Sequence, residues 1–357
     1  MFAVQVAGAG FDRTGRQDGL FGEHQFSGVE PSPEVTVVQV GGAVQALQCG
    51  HFQGPAAARV RLEADGTAVV QTDMTDLGTG TYTVLTQVAS DGLGLPPDRV
   101  RIELGRSEFP TSWGSGGSWG AASSSNAVHG ACMALREQLL AEARGDTRSP
   151  LHGLDPADAV FSNGNVVVGR ASEALSEIIA RNHPEGFEAE SGTRFMGDDP
   201  NYTDYSINTY GAHFAEVGVD ADTAEIRLRR MLGVFSVGRV LNAKTARSQL
   251  IGGMIWGVGA ALEEEAVVDL RSGAFVNRDF AQYLVPVHAD VPDIDAVVLD
   301  GYDDKANVLG AKGVGELGIC GAGASVANAV FNATGVRVRD FPITIEKVLP
   351  GLPLMDN

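Results

Sequence analysis

A chain of 357 residues with 44% hydrophobic side chains can bury a sizeable core and by length divides into about two or three domains. Its 45 acidic against 26 basic residues leave a net charge of −19, which excludes non-specific nucleic-acid binding, since phosphate contacts need clustered Lys and Arg. Cys49, Cys132 and Cys320 are too far apart for a CxxC pair or a disulfide framework, which argues against an iron–sulfur cluster or structural zinc within this chain. No apolar run reaches the roughly 18 residues of a membrane span. Residues 1–10 lack the basic start of a secretory signal, so a cytoplasmic location is expected, with export only alongside a partner that carries the signal.

Residues 1–57 carry frequent glycine, polar punctuation and no helical period; beyond one strand over 35–44, an irregular segment is expected. Regular structure begins at residue 58. Strands over 58–62 and 68–73 join through Ala64-Asp65-Gly66, a hairpin turn. The loop Leu77-Gly78-Thr79-Gly80-Thr81 leads into a helix over 82–93, with Val84, Leu85, Val88 and Ala89 on its apolar face. Pro96-Pro97-Asp98 breaks the chain before a strand over 100–104. A second glycine loop, 114–120, feeds a long helix over 121–144. A strand over 166–168 and a helix over 171–180 follow, and a polar stretch over 182–203 separates the halves.

The second half repeats this style. Strands over 211–219 and 224–237 join through Asp220-Ala221-Asp222. A helix over 245–264 follows, and its interior holds Gly252, Gly253, Gly257 and Gly259. Each such glycine costs about 1 kcal/mol against alanine, so close packing is expected around them. A strand over 296–299 precedes the third glycine loop, 310–323, which has Glu316 at its centre. A helix over 324–334 follows, with Gly335 placed as its C-terminal cap. The recurrence gives an α+β (α/β-like) fold of two related mixed-sheet subdomains, 58–200 and 201–357, with much of the sheet antiparallel.

Unpaired N–H groups and the helix dipole make a helix N-terminus an anion site. Three glycine loops before helices point to a large phosphorylated ligand, yet none fits a P-loop or Rossmann fingerprint. Gly116-Gly117-Ser118-Trp119-Gly120 matches G-x-S-x-G, which makes Ser118 a hydrolase nucleophile with His129, His152, His183, His213 or His288 as base. That elbow needs a preceding strand, and residues 108–113 do not read as one. Gln249, early in the glycine-bearing helix, reads as a buried ligand contact. Glu316 taken alone reads as a solvated carboxylate. Cys132 and Cys320 read as packing residues.

Four motifs occur in order: 74–83, 114–120, 238–242 continuing through 245–253, and Lys312-Gly313-Val314-Gly315-Glu316. Together they resemble the C-terminal half of the molybdenum-binding subunit of the xanthine dehydrogenase and aldehyde oxidase family. The nearest subgroup is the bacterial aldehyde dehydrogenases that use molybdopterin cytosine dinucleotide. The resemblance covers residues 58–349. It implies a molybdenum hydroxylase that oxidises aldehydes to acids with water as the oxygen source. Glu316 matches the family's general base, beside molybdenum held by the pterin and not by protein ligands. Gln249 matches the glutamine that hydrogen-bonds the cofactor. Gly117, Ser118, Trp119 and Gly120 match the loop that cradles pterin and pyrophosphate. Gly78, Thr79, Gly80 and Thr81 match the dinucleotide-side loop, where other subgroups carry Gln at the Thr79 position. Lys312 matches a basic residue beside the glutamate, followed by Gly313, Val314 and Gly315. The resemblance also implies partner subunits carrying 2Fe-2S clusters and FAD. The family's subunit is longer, and its N-terminal half has no counterpart here; residues 1–57 do not match it. A truncated, non-catalytic remnant or assembly partner is the alternative reading.

Overall fold

The computed structural model describes residues 54–193 and 204–352, together with the backbone of two strands, β1 (Val37–Ala43) and β2 (Cys49–Gly50). The first unit starts with the hairpin β3 (Ala56–Leu62) and β4 (Ala68–Thr72). Alternate residues of β3 are buried, so one face of the strand is core and the other carries Arg59 and Arg61. Helix α1 (Thr81–Leu93) follows, then β5 (Val100–Leu104), which pairs with β4 in parallel. Helix α2 (Gly120–Gly145) comes next. A small antiparallel sheet is formed by β6 (Ala159–Ser162), β7 (Asn165–Val168) and β8 (Ala171–Ala174), and α3 (Leu175–Asn182) is attached to it. Strand β9 (Phe187–Thr193) returns to pair with β3, which gives the sheet order β5-β4-β3-β9.

The second unit repeats the same path. The hairpin β10 (Asn208–Val219) and β11 (Ile226–Ser236) is followed by α4 (Ala243–Leu262). After the short ribbon β12 (Val268–Asp269) and β13 (Ala274–Phe275) comes β14 (Ile294–Leu299), parallel to β11, and then α5 (Ala322–Thr334). The sheet order is β14-β11-β10-β1, and β2 also pairs with β10. Strand β1 thus takes, in the second sheet, the place that β9 takes in the first. The strand expected over 35–44 is present at Val37–Ala43, where it joins the second sheet by its antiparallel register with β10.

In each unit the first helix lies over the parallel edge and the second lies over the hairpin and the far edge strand. Contacts of α1 with β5 and of α2 with β3 and β9 are matched by those of α4 with β14 and of α5 with β1 and β10. Two cores result. One is built around Leu62, Leu85, Leu135 and Ile178, the other around Phe235, Leu250, Met254 and Val326. Helix α4 is started by Asn242, whose Oδ1 accepts the Thr245 N–H at 2.9 Å, and α5 ends at Gly335, φ +74°, whose N–H donates to Phe331 O.

Two expectations change. The helix over 171–180 starts only at Leu175; residues 171–174 pair with β7 and bury Glu173, which accepts from Ser149 Oγ at 2.5 Å and from Arg181 at 2.6 Å. The polar stretch over 182–203 contains β9, whose Phe187-Glu188-Ala189-Glu190 alternation is a half-buried edge-strand pattern; residues 194–203 lie outside the described residues. As expected, much of each sheet is antiparallel, with one parallel edge pair in each. Among the described residues no helix is long and apolar enough to cross a membrane.

Candidate active site

Because β5 is parallel to β4, the loops that follow both strands leave the same edge of the first sheet. The loops after β11 and β14 do the same in the second. All four sequence motifs start on these loops, ahead of α1, α2, α4 and α5, and the third continues into α4 with Gln249. The repeat therefore gathers them by topology, in the manner of ligand sites at the carboxyl ends of strands.

The junction is tight. Ser118, at φ +61°, stands two residues ahead of α2. Its Oγ accepts the backbone N–H of Glu316 at 2.9 Å and donates to Glu316 Oε2 at 3.0 Å. A Cβ on Gly313 would fall 2.5 Å from Ser118 O, so only glycine lets these two loops touch. From the other side Gln249 Nε2 donates to Gly315 O at 2.8 Å. Beneath the loop, a Cβ on Gly253 would meet Ile319 N at 2.8 Å, and one on Gly318 would meet Leu250 O at 2.3 Å. His213, 1% exposed, donates from Nε2 to Gly318 O at 2.9 Å and leaves Nδ1 buried without a partner. Burial pushes its pKa down against the opposing pull of that hydrogen bond, so the ring is neutral at neutral pH.

Lys312, 7% exposed at its side chain, pairs with Asp303 at 3.1 Å. Burial raises the Asp303 pKa, but the hydrogen bond and charge of Lys312 outweigh it and hold the group below its ordinary value. Gly117, Trp119 and Gly120 surround Ser118. Trp119 Nε1 donates to Gly114 O at 3.0 Å, and the ring packs edge-on to Trp113 at 6.1 Å. The N-terminus of α2 has no side-chain cap, so its first-turn amides suit an anion.

The loop ahead of α1 behaves differently. Asp76 accepts the N–H groups of Gly78 at 2.8 Å and of Gly80 and Tyr82 at 3.3 Å. A built-in carboxylate thus occupies the place expected for a phosphate; Thr79 is exposed on this loop, while Thr81 is buried with its hydroxyl 3.4 Å from that of Thr79. Of the four glycines in α4, Gly253, Gly257 and Gly259 meet close neighbours, whereas a Cβ on Gly252 would meet nothing within 4 Å. Protein packing does not require glycine at 252, an exposed position one turn beyond Gln249.

Two readings are corrected. Ser118 Oγ is engaged by Glu316 and not by an imidazole, and β5 ends at Leu104, well before it, so the nucleophile-elbow geometry is absent. Cys320 is exposed, its Sγ donating to Glu316 O at 3.2 Å, whereas Cys132 is buried and its thiol is pushed up to about 12 by burial. Glu316 itself is exposed. Sequence reasoning missed a cavity of about 150 Å³ where α1 and α2 meet the 237–242 loop, lined in part by Gln87, His129, Arg136 and Arg239. Burial, then the charges of Arg136 and Arg239, push His129 down, and Asp91 also lines the cavity, 4.0 Å from Arg239. These residues come from elements far apart in sequence, and no local spacing marks them.

Comparison with known proteins shows the family to which the chain is similar. A profile of the molybdopterin cofactor-binding domain matches residues 34–292. The aldehyde oxidoreductase molybdenum-binding subunit PaoC of Escherichia coli K12 is 49% identical over 297 residues, which are 83% of this chain and 38% of that protein. The probable hypoxanthine oxidase XdhD of the same organism is 32% identical over 82% of this chain and 30% of its own length. The crystal structure of quinoline 2-oxidoreductase from Pseudomonas putida 86 superposes with a TM-score of 0.75 at 25% identity, covering 88% of this chain and 42% of that one. The chain thus spans well under half the length of the relatives it matches.

Proposed function

The chain belongs to the molybdopterin cofactor-binding family of the xanthine dehydrogenase and aldehyde oxidase type, and on that footing we propose that it is part of the molybdenum-binding subunit of an enzyme that oxidises aldehydes to carboxylic acids with water as the oxygen source. The observation that carries this reading is the convergence of Ser118, Gln249 and Glu316 at the meeting of the two units.

The residues present fit a pterin dinucleotide. The uncapped N-terminus of α2 with Gly117, Ser118, Trp119 and Gly120 would take the pterin and pyrophosphate. Gln249 and the open face at Gly252 would flank the pterin, alongside Lys312, Gly313, Val314 and Gly315. Gly78, Thr79, Gly80 and Thr81 would meet the nucleotide side. We take the cofactor to be the cytosine dinucleotide form. When bound, the molybdenum centre supplies the two-electron oxidation of the substrate carbon. Glu316 serves as general base and accepts the proton released as the water-derived oxygen joins the aldehyde carbon. Ser118 fixes its carboxylate through one hydrogen bond and its backbone through another. Lys312, paired with Asp303, keeps a positive charge close behind Glu316 in the chain. 2Fe-2S clusters and FAD on partner chains would take up the electron pair, in an assembly we place in the cytoplasm. Residues 58–200 and 201–357 form the two cofactor-binding units.

A second reading, a chain that keeps the fold but does not hold the metal alone, is favoured by the exposure of Glu316 and the partial span of the relatives. In the assembled enzyme Glu316→Gln should abolish aldehyde turnover while molybdenum content is unchanged. Undiminished turnover refutes Glu316 as the base.

A further inference from the structure

The turn that carries Glu316 is held from three directions, and one of the three holders lies outside every sequence motif. Ser118 grips Glu316 itself through two hydrogen bonds, and Gln249 donates to Gly315 O at 2.8 Å. The third holder is His213 on β10, whose Nε2 donates to Gly318 O at 2.9 Å. A carbonyl only accepts, so this bond fixes the Nε2–H tautomer and leaves Nδ1 as a bare acceptor. Nδ1 is buried and meets no donor among the described residues. A buried polar atom without a partner costs stability, so packing alone would favour an apolar ring at this position.

The surroundings tie that ring to the turn. It stands edge-on to Phe235, with centroids 5.2 Å apart. Gly233, the cross-strand partner of His213, leaves room for the Phe235 ring, since a Cβ there would fall 2.4 Å from it. On the other side, a Cβ on Gly318 would fall 2.3 Å from Leu250 O, so the residue whose carbonyl His213 holds is wedged against α4 next to Gln249. Leu317, between Glu316 and Gly318, is buried in the second core. The turn is thus anchored at 315, 317 and 318, and among residues 315–318 Glu316 alone is exposed.

We propose that His213 is a positioning residue for Glu316: its Nε2–H holds the Gly318 carbonyl and so sets the direction in which the turn presents the carboxylate. The inference rests on the reading of Glu316 as general base. Such a base works only within hydrogen-bond reach of the proton it takes, and a displacement of about 1 Å can cost up to about a hundredfold in rate. Burial, against the pull of the Gly318 hydrogen bond, keeps the imidazole neutral, so it holds the turn without adding a charge beside the carboxylate.

Two variants separate the donor from the ring. His213→Gln keeps an Nε2 donor without the ring; His213→Phe keeps a ring without the donor and removes the unpartnered nitrogen. In the assembled enzyme His213→Phe should lower kcat about tenfold with KM within about twofold, and His213→Gln should retain most of the activity. A side chain needed only for packing gives the reverse order, because phenylalanine conserves the ring and its apolar contacts. If His213→Phe does not fold, His213→Leu takes its place. A second readout needs neither metal nor turnover. In the full chain the exposed Cys320 donates from Sγ to Glu316 O at 3.2 Å, so alkylation of this thiol by iodoacetamide, followed on its own peptide, reports how firmly the turn is closed. The rate should rise about threefold or more in His213→Phe and stay near the wild-type rate in His213→Gln. Equal kcat losses in the two variants, an unchanged kcat in His213→Phe, or unchanged Cys320 alkylation overturns the proposal. Undiminished turnover of Glu316→Gln would instead strike the functional reading, and the alkylation rates would still decide whether His213 holds the turn.

Discussion

Gly252 and Gly253 are neighbours on α4 with opposite surroundings. A Cβ on Gly252 meets nothing within 4 Å; one on Gly253 falls 2.8 Å from Ile319 N and 2.9 Å from Gly318 C, the backbone that follows Glu316. Gly252→Ala therefore gains only helix propensity, about 1 kcal/mol of stabilisation. Gly253→Ala makes the same gain, but its methyl sits about 0.7 Å or more inside the optimal separation of non-bonded heavy atoms. The obstacle is main chain and cannot rotate away. Overpacking costs about 1–3 kcal/mol, so the net effect of Gly253→Ala runs from near neutral to about 2 kcal/mol destabilising. The two single-methyl variants, one residue apart, should then differ by about 1–3 kcal/mol in urea unfolding at unchanged slope. Equal stabilisation by both would refute the packing of α4 against the catalytic loop. Gly252→Ala carries a second expectation: since its open face is assigned to the cofactor, the more stable variant should retain less molybdenum in the assembled enzyme.

Ser118→Ala removes both hydrogen bonds that hold Glu316, and kcat of the assembled enzyme should fall about tenfold, the equivalent of one ordinary hydrogen bond at ~1.4 kcal/mol, with KM less affected; an unchanged kcat removes Ser118 from the positioning role. Lys312→Met strands Asp303 in a partly buried site and should cost about 1–3 kcal/mol at pH 7. The Asp303 pKa is depressed in the folded chain, so the stabilisation by Lys312 is present above the ordinary carboxylate value and is lost as pH falls through the lower folded value; the gap between wild type and variant should close in acid unfolding. Glu263 behaves oppositely. Burial first, then Asp290 and Glu264, push it up to about 7, so stability should decline as pH rises from its ordinary value of 4.5 through about 7. Glu263→Gln should flatten that decline, by about 1 kcal/mol at pH 8 after allowance for its partial exposure, and thermal midpoints at pH 5 and pH 8 would report it.

Most of the framework is legible because each unit is written in strong local signals. Alternation marks β3 and β4, 3.6-residue periodicity marks α1 and the latter part of α2, and Gly335 stands where a helix must end. What escapes is set by partners distant in sequence. Residues 171–174 look helical because Ala and Glu favour helix, yet pairing with β7 and the burial of Glu173 with Ser149 and Arg181 make them strand. Strand β1 is legible as a strand, but its place in the second sheet is decided by β10, some 170 residues on. In the site, the motif order places Ser118 and Glu316 on equivalent loops of a repeat, but their hydrogen bonds exist only because two sheets oppose the same edge. The Asp76 cap reverses the anion expectation at α1, because a carboxylate a few residues ahead of the helix reaches its amides before any phosphate could.

The central claim is that the loops around Ser118, Gln249 and Glu316 hold a molybdenum pterin dinucleotide. The most direct measurement is the metal and nucleotide content of the chain purified together with the remaining part of its subunit. The account predicts molybdenum and an acid-released cytidine nucleotide in equal, stoichiometric amounts, both lost when Gln249 and Ser118 are replaced by alanine together. A well-folded assembly that contains neither would contradict it.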